Sequence, residues 1–200
     1  MLRVLPWLTD GAVDFIDTFI SERKKLGLGT RIFEFGAGNS TLYFLSRGCF
    51  VRSIEHDREW ATMIQKTAEA FGYQHNLQLI TAERPYNDLY QDDEFDITLI
   101  DGRDRVKCFS TVVEKMRNSD QLIILDNTER LDYKYKDYLP ILADARLHAI
   151  HFEQHQLEFE GKRYTTRSYA RDRLQHRHIT SICFKQGMYN TDGKKLLRGQ

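Results

Sequence analysis

The chain has 200 residues, of which 41% are hydrophobic and 29% are charged, and its 29 Lys and Arg residues balance its 29 Asp and Glu residues. This length suits one globular domain, and zero net charge provides no overall attraction to nucleic acid or to an anionic membrane. No apolar run is long enough to span a bilayer, and the short apolar start, broken by Pro6, does not resemble a signal peptide. We therefore expect one domain over residues 1–200, with neither a membrane nor a nucleic acid as its partner.

The three cysteines are widely spaced and form no CxxC pair, so neither a disulfide framework nor a zinc cluster is predicted. A cytoplasmic location follows as an expectation. Composition does not predict an oligomeric state.

In chain order, an N-terminal arm and an amphipathic helix occupy residues 1–26, a core occupies 30–153, and a basic segment, a last strand and a tail occupy 154–200. Short apolar runs alternate with helical patterns, which predicts an α/β fold with a mostly parallel sheet and helices on both faces. The predicted strands are Arg31–Phe35, Phe50–Glu55, Leu77–Thr81, Phe95–Asp101, Gln121–Asp126, Ala149–Glu153 and Ile179–Phe184.

A glycine-rich turn follows the first predicted strand. Gly36 and Gly38 allow a sharp turn and the close approach of a ligand, and Ser40 or Thr41 can cap the next helix. Glu55, 21 residues after Glu34, ends the second strand. A carboxylate at that position can accept hydrogen bonds from both ribose hydroxyls of an adenosine cofactor.

The charge pattern distinguishes between two adenosine cofactors. Glu34 stands immediately before the turn, where a carboxylate would repel a pyrophosphate and attract the sulfonium and ammonium groups of S-adenosylmethionine. Thr41 occupies the position where a dinucleotide fingerprint has its third Gly or Ala. S-adenosylmethionine is therefore the predicted cofactor. Two alternatives remain open: an NAD-linked oxidoreductase, and a catalytically silent module that only binds the cofactor.

Residues 32–41 resemble the first motif of class I S-adenosylmethionine-dependent methyltransferases, residues 53–57 their acidic second motif, and residues 95–102 their fourth-strand motif. The resemblance implies a seven-stranded sheet of order 3-2-1-4-5-7-6 with the last strand antiparallel. It implies methyl transfer. We expect the acceptor to be small, hydroxyl-bearing and anionic, with transfer most simply to oxygen. The cofactor-binding residues that it implies are Glu34, Gly36, Ala37, Gly38, Asn39, Ser40, Thr41, Glu55, His56 and Asp101.

Oxygen-bearing side chains end the fourth and fifth predicted strands. Asp101, Asp126 and Asn127 would suit Mg²⁺ or Ca²⁺, and the arrangement is similar to that of metal-dependent O-methyltransferases. The alternative is that Asp101 contacts only the cofactor while the Asp126–Asn127 pair caps the next segment. Those families have a lysine soon after the first Asp, whereas here Asp104 is the candidate base beside Asp101, and Arg105 is a candidate ligand for an anionic substrate.

Residues 161–178 hold six Lys and Arg residues against one acid, with interleaved tyrosines. This segment is interpreted as a lid over an anionic substrate, as an RNA contact, or as a solvated surface loop.

Overall fold

The structure, a computed structural model, describes residues 5–91, 95–116, 120–130, 135–154, 157–159, 162–164 and 178–185. The strands are β1 (Arg31–Phe35), β2 (Phe50–Glu55), β3 (Leu77–Thr81), β4 (Ile97–Ile100), β5 (Leu122–Leu125), β6 (Leu147–Gln154), β7 (Leu157–Phe159), β8 (Lys162–Tyr164) and β9 (His178–Lys185). The helices are α1 (Asp10–Lys25), α2 (Asn39–Ser46), α3 (Arg58–Ala70), α4 (Arg105–Lys115) and α5 (Tyr138–Asp144).

Seven of these strands form one sheet in the order β3-β2-β1-β4-β5-β9-β6. The five strands from β3 to β5 pair in parallel, and β9 is antiparallel to both of its neighbours. The predicted order and the antiparallel last strand are therefore confirmed, with β9 in the place of the predicted seventh strand. The hairpin of β7 and β8 was not predicted as strands.

Helices cover both faces of the sheet, as the alternating pattern predicts. On one face α1, α2 and α3 pack on strand residues such as Ile32, Val51 and Leu99. On the other face α4 and α5 pack on Phe33, Ile123 and their neighbours. Because β1, β4 and β5 are buried on both faces, their residues are apolar almost without interruption.

The described helices were also compared with the requirements of a transmembrane span. None of them combines the length and the apolar character that a bilayer span requires.

All three cysteines are buried free thiols. The organisation of the full 200 residues as one domain stays a prediction.

The turn after β1 brings two strand ends together, backbone against backbone. Gly36 has a φ of +93°, in the left-handed region that favours glycine, and its amide donates to the Ile54 carbonyl of β2 at 2.8 Å. A Cβ atom at Gly36 would lie 2.8 Å from the Cα of Gly102, which follows β4. Glycine is therefore required at position 36 for both reasons. Gly38 has an extended φ of 180° and open space beside it.

A buried carboxyl group supports this turn from below. Glu34 is 0% exposed, and its Oε2 accepts hydrogen bonds from the hydroxyls of Thr41 and Ser53, both at 2.6 Å. Thr41 Oγ1 in turn accepts the Gly38 amide at 2.9 Å, so one side chain links β1, β2 and the start of α2. Glu34 Oε1 has no hydrogen-bond partner among the described residues. Burial raises the pKa of Glu34 to about 7, and the hydroxyl donors oppose this only in part.

We expect Gly36→Ala to destabilise the protein and Gly38→Ala to leave its stability nearly unchanged. The first substitution combines an unfavourable φ with a steric clash against Gly102, for which about 2–4 kcal/mol is a reasonable cost. The second substitution meets neither obstacle. Urea unfolding of both variants checks this, and equal midpoints for the two would contradict the close approach of the strand ends.

The raised pKa of Glu34 predicts a stability that depends on pH. Its folded-state pKa of about 7 exceeds the ordinary 4.5, so the stability from the neutral carboxyl is complete below pH 4.5 and is lost as the pH rises through 7. Between pH 5 and pH 8 the wild type should therefore lose about 2–3 kcal/mol relative to Glu34→Gln. Urea unfolding at both pH values measures this difference. The exposed Glu59→Gln is the control, and a constant difference between wild type and Glu34→Gln would argue against the buried neutral carboxyl.

Candidate functional site

A cleft of about 550 Å³ lies at the carboxyl ends of β1, β2 and β4, a size typical of small-molecule sites. Ligands of open α/β sheets bind at this edge. Most of the residues predicted to bind a cofactor line this cleft together: Gly36, Ala37, Gly38, Asn39, Ser40, Glu55, His56 and Asp101. Two of the predicted residues, Glu34 and Thr41, are fully buried beneath the turn and are not among the lining residues. They support the turn from below, and the attraction of Glu34 for a sulfonium stays a prediction.

The Glu55 carboxylate connects the end of β2 to the glycine-rich turn. Its Oε2 accepts the amide of Ala37 at 3.1 Å, while its Oε1 accepts the amides of His56 at 2.8 Å and Asp57 at 2.9 Å. The imidazole Nδ1 of His56 lies 2.7 Å from the same Oε1. Three backbone amides therefore hold the carboxylate at the wall of the cleft.

Trp60 is a cleft residue that the sequence reasoning assigned only to the periodic face of a helix. The Asp57 carboxylate caps α3 by accepting the amides of Glu59 and Trp60, both at 3.0 Å. One turn into the helix, the indole Nε1 of Trp60 donates to the Ala37 carbonyl at 2.6 Å. The indole therefore holds the turn from the cleft side while 42% of the residue stays exposed.

Other lining residues were also missed, and they lie near the ends of different elements. Trp7 precedes α1 and Arg103 follows β4, while Arg130 comes a few residues after β5. Trp7 reaches the cleft because the neighbouring arm is tied down: the Thr9 amide donates to Thr180 Oγ1 of β9 at 3.1 Å. Arg103 could have been predicted from its position just after the fourth strand. No sequence pattern indicates that the N-terminal arm crosses to the same edge of the sheet.

Asp101 faces the cleft beside an arginine that is almost completely buried. The side chain of Asp101 is 30% exposed, whereas that of Arg105 is 4% exposed, and the two groups meet at 2.7 Å. Arg105 was predicted as a candidate ligand for an anionic substrate, but its guanidinium points into the protein and is not among the lining residues. Partial removal from water raises the pKa of Asp101, and the Arg105 cation opposes that rise.

The predicted metal ligands are engaged by protein groups. Arg105 donates to the carboxylate of Asp101 and to the backbone carbonyl of Asp126, and Asp126 Oδ1 accepts the Thr180 hydroxyl at 2.9 Å. Asn127 adopts a φ of +52° at the turn after β5. Within the described ranges, no cluster of three or more His, Cys, Asp or Glu side chains is arranged to hold a metal ion. The prediction of Mg²⁺ at Asp101, Asp126 and Asn127 is therefore not supported, because a cation of the protein already lies among these groups.

Asp104 was the candidate base, and the structure pairs it with an arginine instead. Both of its carboxylate oxygens accept hydrogen bonds from the Arg84 guanidinium at 2.8 Å. This contact lowers the pKa of Asp104 below its usual value, which makes the carboxylate a weaker proton acceptor. Asp104 is also not among the residues that line the cleft. The geometry therefore favours Asp101 over Asp104 as the carboxylate that meets a substrate.

The basic segment 161–178 lies mostly outside the described residues. Only the strand Lys162–Tyr164 and the first residue of β9 belong to its described part. Its predicted roles as a lid, an RNA contact or a solvated loop stay predictions.

No protein-family model matches the chain, and no curated protein matches it. Solved structures do share its fold. The O-methyltransferase from Bacillus cereus, solved in complex with SAH, is 16% identical with a TM-score of 0.63, over 90% of this chain and 84% of that one. A putative caffeoyl-CoA O-methyltransferase from Staphylococcus aureus is 14% identical with a TM-score of 0.60, over 89% and 85% of the two chains.

A third similar structure is the precorrin-6y C5,15-methyltransferase from Geobacter metallireducens, which is 16% identical with a TM-score of 0.55, over 78% of this chain and 79% of that one. At such identities the likeness concerns the fold. Together with the observed strand order, these similarities show that the chain has the Rossmann-like fold of class I S-adenosylmethionine-dependent methyltransferases.

Proposed function

We propose that the protein is an S-adenosylmethionine-dependent methyltransferase that acts on a small, anionic, hydroxyl-bearing acceptor, with transfer to oxygen. One observation carries the proposal: the glycine-rich turn, the Glu55 carboxylate and the Asp101 carboxylate line a single cleft at the carboxyl edge of the sheet. The names of the solved structures with this fold, several of them O-methyltransferases, support it.

The residues present fit the proposed cofactor. Glycine at position 36 lets the turn lie directly against Gly102, and both residues line the cleft with backbone atoms. Glu55 at the end of β2 would accept the ribose hydroxyls, and the neighbouring His56 would lie against the adenine. Gly36, Ala37 and Gly38, with Asn39 and Ser40 at the start of α2, would surround the methionine part.

The charges that line the cleft favour a cationic cofactor over a pyrophosphate. Glu55 and Asp101 lie on the side of the glycine-rich turn, and Asp57 lies near Glu55. Carboxylates at this position attract a sulfonium and an ammonium group and repel phosphate. The buried Glu34, with its raised pKa, adds little charge of its own. This distribution supports S-adenosylmethionine over NAD.

Two arginines also line the cleft. Arg103 and Arg130 line it together with the indole of Trp7. A guanidinium forms paired hydrogen bonds with a carboxylate or phosphate, and an indole provides a flat apolar surface. This combination supports an acceptor that carries an anionic group.

The bound cofactor would supply an activated methyl group, so the protein has mainly to align the reactants. Asp101 is the exposed carboxylate at the end of β4, where it would orient the acceptor hydroxyl and accept its proton. A carboxylate with a raised pKa is a better proton acceptor than an ordinary one. Trp60, by bonding to Ala37, would keep the turn in its binding geometry.

Glu55→Ala should weaken binding of S-adenosylhomocysteine at least about tenfold, since losing the ribose contact costs on the order of 1.4 kcal/mol or more. Titration calorimetry of wild type and variant measures this. Glu59→Ala, which removes an exposed glutamate from the same region, is the matched control and should bind normally. Unfolding curves of both variants show whether the lost tether to Ala37 also lowers stability. Saturable binding of NADH, with no binding of S-adenosylhomocysteine, would refute the proposed cofactor.

Transfer of labelled methyl groups should favour hydroxy acids over their uncharged methyl esters. Once an acceptor is found, Arg103→Ala should raise its KM about tenfold, because one charge-assisted hydrogen bond contributes about 1.5–3 kcal/mol. Arg58→Ala, at the exposed start of α3, is the control. Equal rates for acid and ester in the wild type would remove the anionic acceptor from the proposal, and no transfer to any acceptor in a broad screen would favour a silent binding module.

A further inference from the structure

The guanidinium of Arg105 directs its hydrogen bonds to the ends of β4 and β5. Its Nε donates to the Gly102 carbonyl at 3.0 Å, and its Nη2 donates to the Asp101 carbonyl at 2.8 Å and to the Asp101 carboxylate at 2.7 Å. Its Nη1 donates to the Asp126 carbonyl. One planar cation therefore holds oxygens from two neighbouring strand ends in a fixed geometry.

The site around Arg105 is buried and rich in acids. Asp126 is 5% exposed, and its carboxyl group lies near that of Asp101. Glu129 adds a further acid nearby, and Arg130 a further cation. A cation among these acids offsets the cost of burying their charge.

A divalent metal does not fit these residues. Mg²⁺ requires near-octahedral oxygen ligands at roughly 2.0–2.1 Å. Here the Asp101 carboxylate and the Asp126 carbonyl both accept hydrogen bonds from the same guanidinium, and Asp126 Oδ1 accepts the hydroxyl of Thr180. An ion at this position would have to displace a buried arginine.

We propose that Arg105 is a built-in cation that takes the place of a divalent metal at the junction of β4 and β5. It holds the two strand ends together and keeps the Asp101 carboxylate directed to the cleft. A guanidinium remains charged at all accessible pH values and is not removed by chelators. Arg105 is therefore a positioning residue. The further consequence, that methyl transfer needs no divalent metal, rests on the proposed function.

The wild-type protein provides the first test. Mg²⁺ and Mn²⁺ should produce no saturable heat in titration calorimetry, and neither they nor EDTA should shift the unfolding temperature. Saturable binding of one Mg²⁺ per chain that Asp126→Asn abolishes would overturn the proposal. This test does not depend on any variant being stable or on finding an acceptor.

Substitution of Arg105 provides the second test. Arg105→Ala should lower the unfolding temperature by about 6–20 °C, the range expected when one partner of a buried ionic group is removed. Arg58→Ala, which removes an exposed arginine, should cause almost no change. Millimolar Mn²⁺ or guanidinium should raise the unfolding temperature of Arg105→Ala and not that of the wild type, since either cation can enter the vacated site.

Two results would overturn the proposal. In the first, folded Arg105→Ala unfolds at the same temperature as Arg58→Ala. In the second, neither Mn²⁺ nor guanidinium raises the unfolding temperature of Arg105→Ala. If Arg105→Ala does not fold, Arg105→Lys serves in its place. Lysine keeps the charge but lacks the planar fork, so we expect an intermediate loss of stability. A lysine variant as stable as wild type would mean that the fork is unnecessary and would count against the assignment.

Binding of S-adenosylhomocysteine separates failure of this inference from failure of the proposed function. If the wild type binds S-adenosylhomocysteine and also binds Mg²⁺ through Asp126, only the role of Arg105 is wrong. If the cation tests give the expected results and S-adenosylhomocysteine does not bind, the proposed cofactor is wrong and the built-in cation stands. With an acceptor available, an unchanged rate in excess EDTA is the expected result.

Discussion

The backbone contact between the turn after β1 and the end of β4 is the constraint on which the candidate site depends. A Cβ atom at Gly36 would strike the backbone of Gly102, and one at Gly102 would strike the Tyr86 hydroxyl and the Phe35 backbone. Neither position therefore tolerates a side chain, and the ends of two neighbouring parallel strands form one continuous floor. Glu34 stabilises this turn from below through Thr41, and Glu55 stabilises it from the side through Ala37. The cleft is thus bounded by backbone that is fixed before any ligand enters.

The acidic side chains that line the cleft are each bonded to an arginine or to backbone amides. Arg105 pairs with the Asp101 carboxylate at the end of β4, and Arg84 pairs with Asp104 away from the cleft. Glu55 is balanced by backbone donors rather than by an arginine, so its charge stays close to the cleft. A cationic cofactor near Glu55 and an anionic acceptor near Arg103 would both meet complementary charge. The cleft therefore offers carboxylates for a cationic cofactor and guanidinium groups for an anionic acceptor, as the proposed methyl transfer requires.

If Arg105 has the proposed role, sequence similarity to a metal site does not require that a metal is bound. Asp101, Asp126 and Asn127 stand where the resemblance places metal ligands. A cation among such acids offsets the cost of burying their charge, but its chemical identity depends on which side chain can reach them. Arg105 is the first residue of α4, and its side chain reaches back to both strand ends. A permanent organic cation at this position supplies charge and geometry without Lewis-acid chemistry.

The sequence by itself determined the fold class and the turn at Gly36, because apolar periodicity and glycine spacing are local properties of the chain. The strand order was predicted only through the resemblance of three motifs to those of class I methyltransferases. It also placed Glu55 and Asp101 at one edge, since parallel strands end on the same side. Only the tertiary structure decided where individual side chains point. Glu34 lies beneath the glycine-rich turn, and Trp60 bonds to that turn from the cleft side. Arg105 points into the protein. Such directions depend on packing between distant segments, and no local pattern records them.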